Sequence, residues 1–315
     1  MKILILGGCG YIGTKLVKDL LEKNKKVTVF DTHWFGNYLK PHKNLKIIKG
    51  DIRKIDEKIF KQVNIVVHLA NIANDPGVDL NPSLSWEVNV LSLIDILNKC
   101  KKNKVNQFIF SSSGSVYGIK REKKVTEDLD LLPISTYNKT KMAAERILLS
   151  YADNFQCHII RPATVCGFSP RMRFDVSVNN LTIQALKKRI INVFGGDQIR
   201  PNVNINDMSR IFQHFIFKGK KIKTGFYNAG FENLSILKIA KLVRSYTGAE
   251  IKIIKKNNDP RSYRLDSTKL INTGFKPIYG VETAIQDLIS MYNANKITES
   301  DINYTVKWMK KKRIV

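Results

Sequence analysis

The chain has 315 residues, 43% of them hydrophobic, which is length enough for one large domain or two smaller ones around a buried core. No run of 18 apolar residues is present to span a bilayer, and the four cysteines and five histidines lack metal-ligand spacing, so neither a membrane span nor a metal site is expected. The formal charge of +26 comes from 40 Lys and 13 Arg scattered in small groups; that describes a solvated surface rather than the Arg-rich face of a nucleic-acid reader, although its field would attract an anionic substrate. Ile3–Leu6 is too short for a signal-peptide core, so a cytoplasmic protein with reduced thiols is expected.

Short apolar runs alternate with amphipathic stretches along the first half. Strands are predicted at Lys2–Leu6, Lys26–Phe30, Leu45–Ile48, Asn64–Leu69, Gln107–Phe110 and Cys157–Ile160. Helices are predicted at Tyr11–Lys23, at Ser83–Cys100 behind the start signal Asn81-Pro82-Ser83, and at Tyr137–Ala152. This alternation predicts an α/β fold, a doubly wound parallel sheet of Rossmann type. Beyond Arg161 the pattern loosens. Helices are predicted near Val176–Lys188, within Ile205–Phe217, at Ser235–Tyr246 and at Val281–Asn293, with strands at Asn192–Phe194, Gly225–Ala229 and Glu250–Ile254. The expected organisation is a dinucleotide domain over 1–166, rejoined by 204–230. A smaller α/β carboxy-terminal substrate lobe takes 167–203 and 231–295, and 296–315 is a mobile basic tail.

Two clusters carry chemistry. Gly8-x-Gly10-x-x-Gly13, overlaid by Gly7-x-x-Gly10-x-x-Gly13, follows a predicted strand and opens a predicted helix. Glycines let the backbone turn tightly and approach a pyrophosphate, and the helix amino end favours its charge. Asp31 follows Gly13 by 18 residues and ends the second strand, where a carboxylate accepts from ribose hydroxyls and repels a 2′-phosphate; this predicts NAD over NADP. Asp51 reads equally as a contact to the adenine amino group or as a turn cap. The second cluster is Ser113, Tyr137 and Lys141. Lys141 lies one helical turn after Tyr137, and its charge favours the tyrosinate. Tyr137 could then accept a proton from a carbinol while Ser113 holds the same oxygen.

These motifs, with Gly50-Asp51-Ile52, His68-Leu69-Ala70, Asn89, Ser111–Gly118, Arg161-Pro162-Ala163, Phe194-Gly195-Gly196, Arg200 and Asn206-Asp207, resemble the extended short-chain dehydrogenase/reductase family, the NAD-dependent nucleotide-sugar epimerases and dehydratases. The resemblance implies NAD contacts from Gly7, Gly10, Tyr11, Ile12, Gly13, Asp31, Asp51, Ile52, Leu69, Ala70, Asn89, Tyr137, Lys141 and Pro162. It implies substrate contacts from Ser113, Asn180, Phe194 and Arg200, with Lys256 or Arg261 as a second phosphate ligand. Ser169–Arg173 resembles a branch that acts on unusual sugars. The family also implies a homodimer through the helices at Ser83–Cys100 and Tyr137–Ala152, and each carries more apolar residues than one buried face needs.

Family dehydratases carry acidic residues where this chain has Gly114-Ser115. Neither residue titrates near neutrality, so 4-epimerisation through a transient 4-keto sugar is the leading expectation and 4,6-dehydration is disfavoured. A 4-dehydrogenase or 4-ketoreductase would use the same residues. RNA binding on this fold is the alternative of another class, set against the retained Tyr137 and Lys141. No stable membrane association is expected from Val306–Arg313, which reads as a basic tail.

Overall fold

In the computed structural model residues 1–255 and 262–314 are described. The chain opens as β1 (Lys2–Leu6), α1 (Tyr11–Glu22), β2 (Lys26–Asp31), β3 (Leu45–Lys49) and β4 (Ile65–His68). Short helices α2 (Asp75–Val78) and α3 (Pro82–Trp86) lead through a π-helical turn at Glu87–Leu91 into α4 (Ser92–Lys102). Then come β5 (Gln107–Ser111), α5 (Thr136–Leu149) and β6 (Gln156–Pro162). The second half runs β7 (Thr164–Cys166), α6 (Ser177–Lys188), β8 (Ile190–Phe194), β9 (Ile199–Asn204), α7 (Ile205–Lys218), β10 (Gly225–Ala229), β11 (Glu232–Ser235), α8 (Ile236–Thr247) and β12 (Glu250–Ile254). It ends with α9 (Thr268–Ile271), α10 (Val281–Asn293) and α11 (Thr305–Lys311).

Seven parallel strands form the main sheet in the order β3-β2-β1-β4-β5-β6-β10. The period of two along each strand feeds two separate layers. Ile3, Ile5, Val27 and Val29 face one core with Leu16, Val17 and Leu20 of α1 and Met208, Phe212 and Phe215 of α7. Leu4, Leu6, Phe108 and Phe110 face the other, with Leu93, Ile96 and Leu97 of α4 and Ala144 and Leu148 of α5. Because both faces are covered, these strands read as continuous apolar runs rather than alternating ones. β11-β9-β7 and β12-β8 make two smaller sheets, and a third core joins Val178 and Leu181 of α6, Ile239 and Val243 of α8 and Ile285 of α10.

Strand order reverses between β1 and β4, which opens a crevice beyond their carboxyl ends. Two backbone bonds fix its floor: Gly7 N–H to Phe30 O at 2.9 Å and Leu69 N–H to Leu6 O at 2.8 Å.

Two expectations differ from the structure. The single helix predicted over Ser83–Cys100 is α3, the π turn and α4 in succession. The segment predicted to be a mobile tail instead folds back as α11. Met309 is buried in the same core layer as Phe108 and Phe110, and Trp308 Nε1 donates to Trp34 O at 2.5 Å. Trp308 and Met309 of this short helix, with Ile314 beyond its end, pack inward, and the surrounding lysines hide them from a charge-based reading. No helix among the described residues is long and apolar enough to cross a membrane.

Candidate active site

A cleft of about 470 Å³ lies over the crevice. Its lining includes Gly7, Gly10, Tyr11, Ile12, Gly13, Asp31, Asp51, Ile52, Leu69, Ala70, Ser113, Tyr137, Lys141, Pro162 and Arg200, so most of the residues singled out in the sequence converge there. Asn89 does not line it. It stands behind, on the π turn, where Oδ1 accepts the Ile72 N–H at 2.8 Å and Nδ2 donates to Ile72 O at 3.1 Å, holding the loop after β4 in place. Asn180 and Phe194 lie in a second concavity of about 250 Å³ with Lys187 and Lys188. Lys256 and Arg261 lie outside the described residues.

Sterics explain the glycine turn. Gly7 has φ +82°, and a Cβ there would stand 2.5 Å from Ala70 N. A Cβ on Gly13 would stand 2.5 Å from Gly7 O. Gly10 caps α1 without a side-chain bond, and the first turn of α1 holds no acid. Its leading N–H groups and the positive end of its dipole are therefore left for an anion in the cleft. This cradle fits a dinucleotide diphosphate. Asp31 accepts the N–H of Cys9 at 2.9 Å and of His33 at 2.7 Å. Burial raises its carboxyl pKa, and those donors oppose the rise. Asp51 caps the turn after it through the Arg53 N–H at 2.9 Å and pairs with the Arg53 guanidinium at 2.7 Å. It also lines the cleft, so its capping role does not withdraw it from the cavity.

The relay sits at the other end. Ser113 ends the β5 extension, and its Oγ lies 2.7 Å from Ser115 Oγ, which donates to Asn138 Oδ1 at 2.6 Å. Tyr137 and Lys141 project from the first turns of α5, which Ser135 caps through the Asn138 N–H. Lys141 Nζ donates to Ser111 O at 2.9 Å and lies 5.9 Å from the centre of the Tyr137 ring. Burial pushes the Tyr137 phenol up to about 12, against the pull of the Arg173 guanidinium and of hydrogen bonding with Ser113. Burial also lowers the Lys141 ammonium to about 7, against the nearby Glu145 charge. Burial thus works against the easily ionised phenol expected from the sequence, and the Lys141 ammonium donates to a carbonyl. Behind Lys141, Glu145 is sealed by a buried pair with Arg161 at 2.8 Å and by the Ser112 hydroxyl at 2.5 Å.

Several residues that line the cleft have no role read for them from the sequence alone. Asp75 opens α2, accepts from the Ser135 hydroxyl, and its charge raises the Tyr137 pKa. Arg173 pairs with Asp175 at 2.8 Å; burial opposes ionisation of Asp175, but that pairing and the Thr305 N–H bring it down to about 2. Thr305 and Met309 add α11 to the cleft wall. Each comes from a segment far from the two motifs; only Arg173 falls in a stretch the sequence singled out, Ser169–Arg173, and there without an individual role.

A dinucleotide crevice at the switch point of a parallel sheet, with a Ser–Tyr–Lys set at its far end, defines a Rossmann-type nucleotide-dependent enzyme. Residues 3–230 match the NAD dependent epimerase/dehydratase family, and the chain belongs to that family, for which NAD is the cofactor. It is 30% identical over 313 residues to a UDP-glucose 4-epimerase of Lactobacillus helveticus, a match covering 88% of this chain and 92% of that one. The UDP-glucuronic acid 4-epimerase of Bacillus cereus, solved with UDP-glucuronic acid and NAD, superposes with a TM-score of 0.82 at 27% identity, over 94% of this chain and 100% of that one. The dTDP-glucose 4,6-dehydratase DesIV of Streptomyces venezuelae superposes with a TM-score of 0.83 at 21% identity, over 94% of this chain and 98% of that one, a likeness of fold.

Proposed function

We propose that this chain is an NAD-dependent nucleotide-sugar 4-epimerase. The observation that carries the reading is the convergence of Ser113, Tyr137 and Lys141 on the cleft that the glycine turn opens. NAD, when bound, supplies a carbon centre that accepts hydride and returns it. The protein's own part is to position the sugar and to move one proton. Tyr137 takes the proton of the C4 hydroxyl as that oxygen becomes a carbonyl, and gives it back on reduction. Ser113 donates to the same oxygen and fixes its distance. Lys141 and Arg173 supply positive charge around the phenol, and a cationic cofactor ring adds to it. Ser115 stands where family dehydratases carry an acid, and its hydroxyl is engaged by Ser113 and Asn138. Epimerisation needs no further group, only a ketone free to present its other face.

We further propose that residues 1–166 with 204–230 form the cofactor lobe, and 167–203 with 231–295 the substrate lobe. The arrangement of β10 beside β6 supports the first grouping. Leu91 and Ile94, 58% and 40% exposed on adjoining turns, support a homodimer through α4 and α5.

Asp75 favours a second reading. A carboxylate lining the cleft near Tyr137 could remove a proton next to the transient ketone, which is the first step of an elimination. Incubation with a panel of UDP- and dTDP-sugars separates the cases by product identity and reduced-cofactor absorbance. A new C4 stereoisomer without net reduced cofactor is expected. Loss of water from the sugar would overturn epimerisation in favour of dehydration, and net reduced cofactor would point to a 4-dehydrogenase.

A further inference from the structure

Arg171 is a buried cation that forms no ion pair among the described residues. The residue is 4% exposed, and its Nε makes no hydrogen bond. Its guanidinium lies over the Phe35 ring, 4.2 Å from the centroid. The charges of Asp175 and Asp31 act on it from a distance, but neither pairs with it directly: Asp175 pairs with Arg173, and Asp31 accepts from the backbone of Cys9 and His33. Withdrawing a charge from water without a directly bonded counter-charge is costly, so a buried arginine beside a cleft, with its Nε donor left unsatisfied, points to a ligand that completes it.

Its position says which ligand. Tyr11 OH donates to Gly167 O at 2.7 Å, Ser169 Oγ donates to Tyr11 O at 2.7 Å, and Asn179 Nδ2 donates to Tyr11 OH at 3.1 Å. These bonds lash the segment that carries Arg171 onto the first turn of α1, the turn whose N–H groups lack a cap and an acid. Arg171 and that turn both line the cleft. Phe35, which stacks on the guanidinium, lies just beyond Asp31 at the glycine-turn end. The relay end has a different arginine, since it is Arg173 that acts on the Tyr137 phenol.

We propose that Arg171 is a diphosphate clamp, a side-chain donor that would hold the cofactor's phosphates together with the α1 amino end. The inference rests on the NAD reading above. A planar guanidinium stacked on an aromatic ring presents its donors in a fixed fork, suited to phosphate oxygens in a way that a lysine is not.

Calorimetry of NAD, ADP and adenosine binding to the wild type, Arg171→Met and Arg171→Lys tests the clamp. Arg171→Met should weaken NAD and ADP by about tenfold to a hundredfold and leave adenosine unchanged. Arg171→Lys should recover part of the loss. Affinity for NAD and ADP equal to wild type in Arg171→Met, or an equal loss for adenosine and ADP, would overturn it. A ligand-free melt reports whether Arg171→Met is folded. If it is not, Arg171→Lys carries the test, because a charge without the fork should still weaken ADP selectively. A wild type that binds no NAD would defeat the cofactor reading itself, whereas NAD bound equally by wild type and variant defeats only the clamp.

Discussion

At the scale of single residues, Tyr137 and Lys141 are one unit with two separable readouts. Tyr137→Phe removes one oxygen and keeps the ring, so NAD should stay bound while turnover falls by about two to four orders of magnitude. Steady-state rates on the true substrate, beside cofactor content, check this; unchanged turnover would remove Tyr137 from the chemistry. Lys141 makes a prediction about stability. Burial holds its ammonium at about 7, below the value for an exposed lysine. Between those two values the unfolded chain binds a proton that the folded chain does not, so stability rises with pH across that window and falls as pH drops towards 7. Lys141→Met abolishes that penalty. In the cofactor-free protein the variant should therefore melt above wild type near pH 7, and the gap should narrow towards pH 10. A gap independent of pH would mean that the ammonium is solvated. Asp31 is the residue proposed to set cofactor choice. Burial raises its pKa, but the Cys9 and His33 N–H groups favour the ionised form, and a carboxylate beside the ribose repels a 2′-phosphate. NADP should bind much more weakly than NAD to the wild type, and Asp31→Ser should narrow the difference in direct titrations. Equal affinity in the wild type would remove Asp31 from that role.

At the scale of elements, α11 and the π turn matter most. α11 ties together three separate pieces of the chain. It reaches the β2 loop through Trp308, the Arg173–Asp175 segment through the Thr305 N–H, and the α4 layer through Met309. Met309→Ala should cost about 2–5 kcal/mol, because a buried side chain leaves a cavity that its neighbours fill only partly. A denaturant midpoint unchanged from wild type would show that the helix is not docked in solution. The π turn carries Asn89 towards Ile72, so its wider winding serves the loop after β4. Neither feature was legible in the sequence. The π turn sits inside an unbroken helical pattern, and α11 is masked by Lys307, Lys310, Lys311 and Lys312. β7, β9 and β11 also went unread. They are short, and Ile199–Asn204 includes Arg, Pro and Asn, which rarely favour strands; pairing with neighbours supplies what their own propensity does not.

At the scale of the whole molecule, Leu91 at the end of the π turn and Ile94 of α4 are exposed apolar side chains on one surface, while Leu97 is fully buried. The Leu91→Glu, Ile94→Glu double variant should sediment as a monomer where the wild type sediments as a dimer; a monomeric wild type would overturn the dimer. The parallel sheet, the glycine turn, Asp31 and the relay were all readable from the chain because each is a local pattern. An apolar run, a tight turn and two side chains one helical turn apart need nothing distant to be recognised. What only the tertiary structure decided was which far segments close the cleft and in which direction burial shifts its titrating groups. Arg171, Asp75 and α11 reach the site across long stretches of chain, and the shifts of Tyr137 and Lys141 follow from burial. Burial belongs to the packed molecule: how far a charge is withdrawn from water depends on everything folded around it, and no neighbouring residue in the sequence records that.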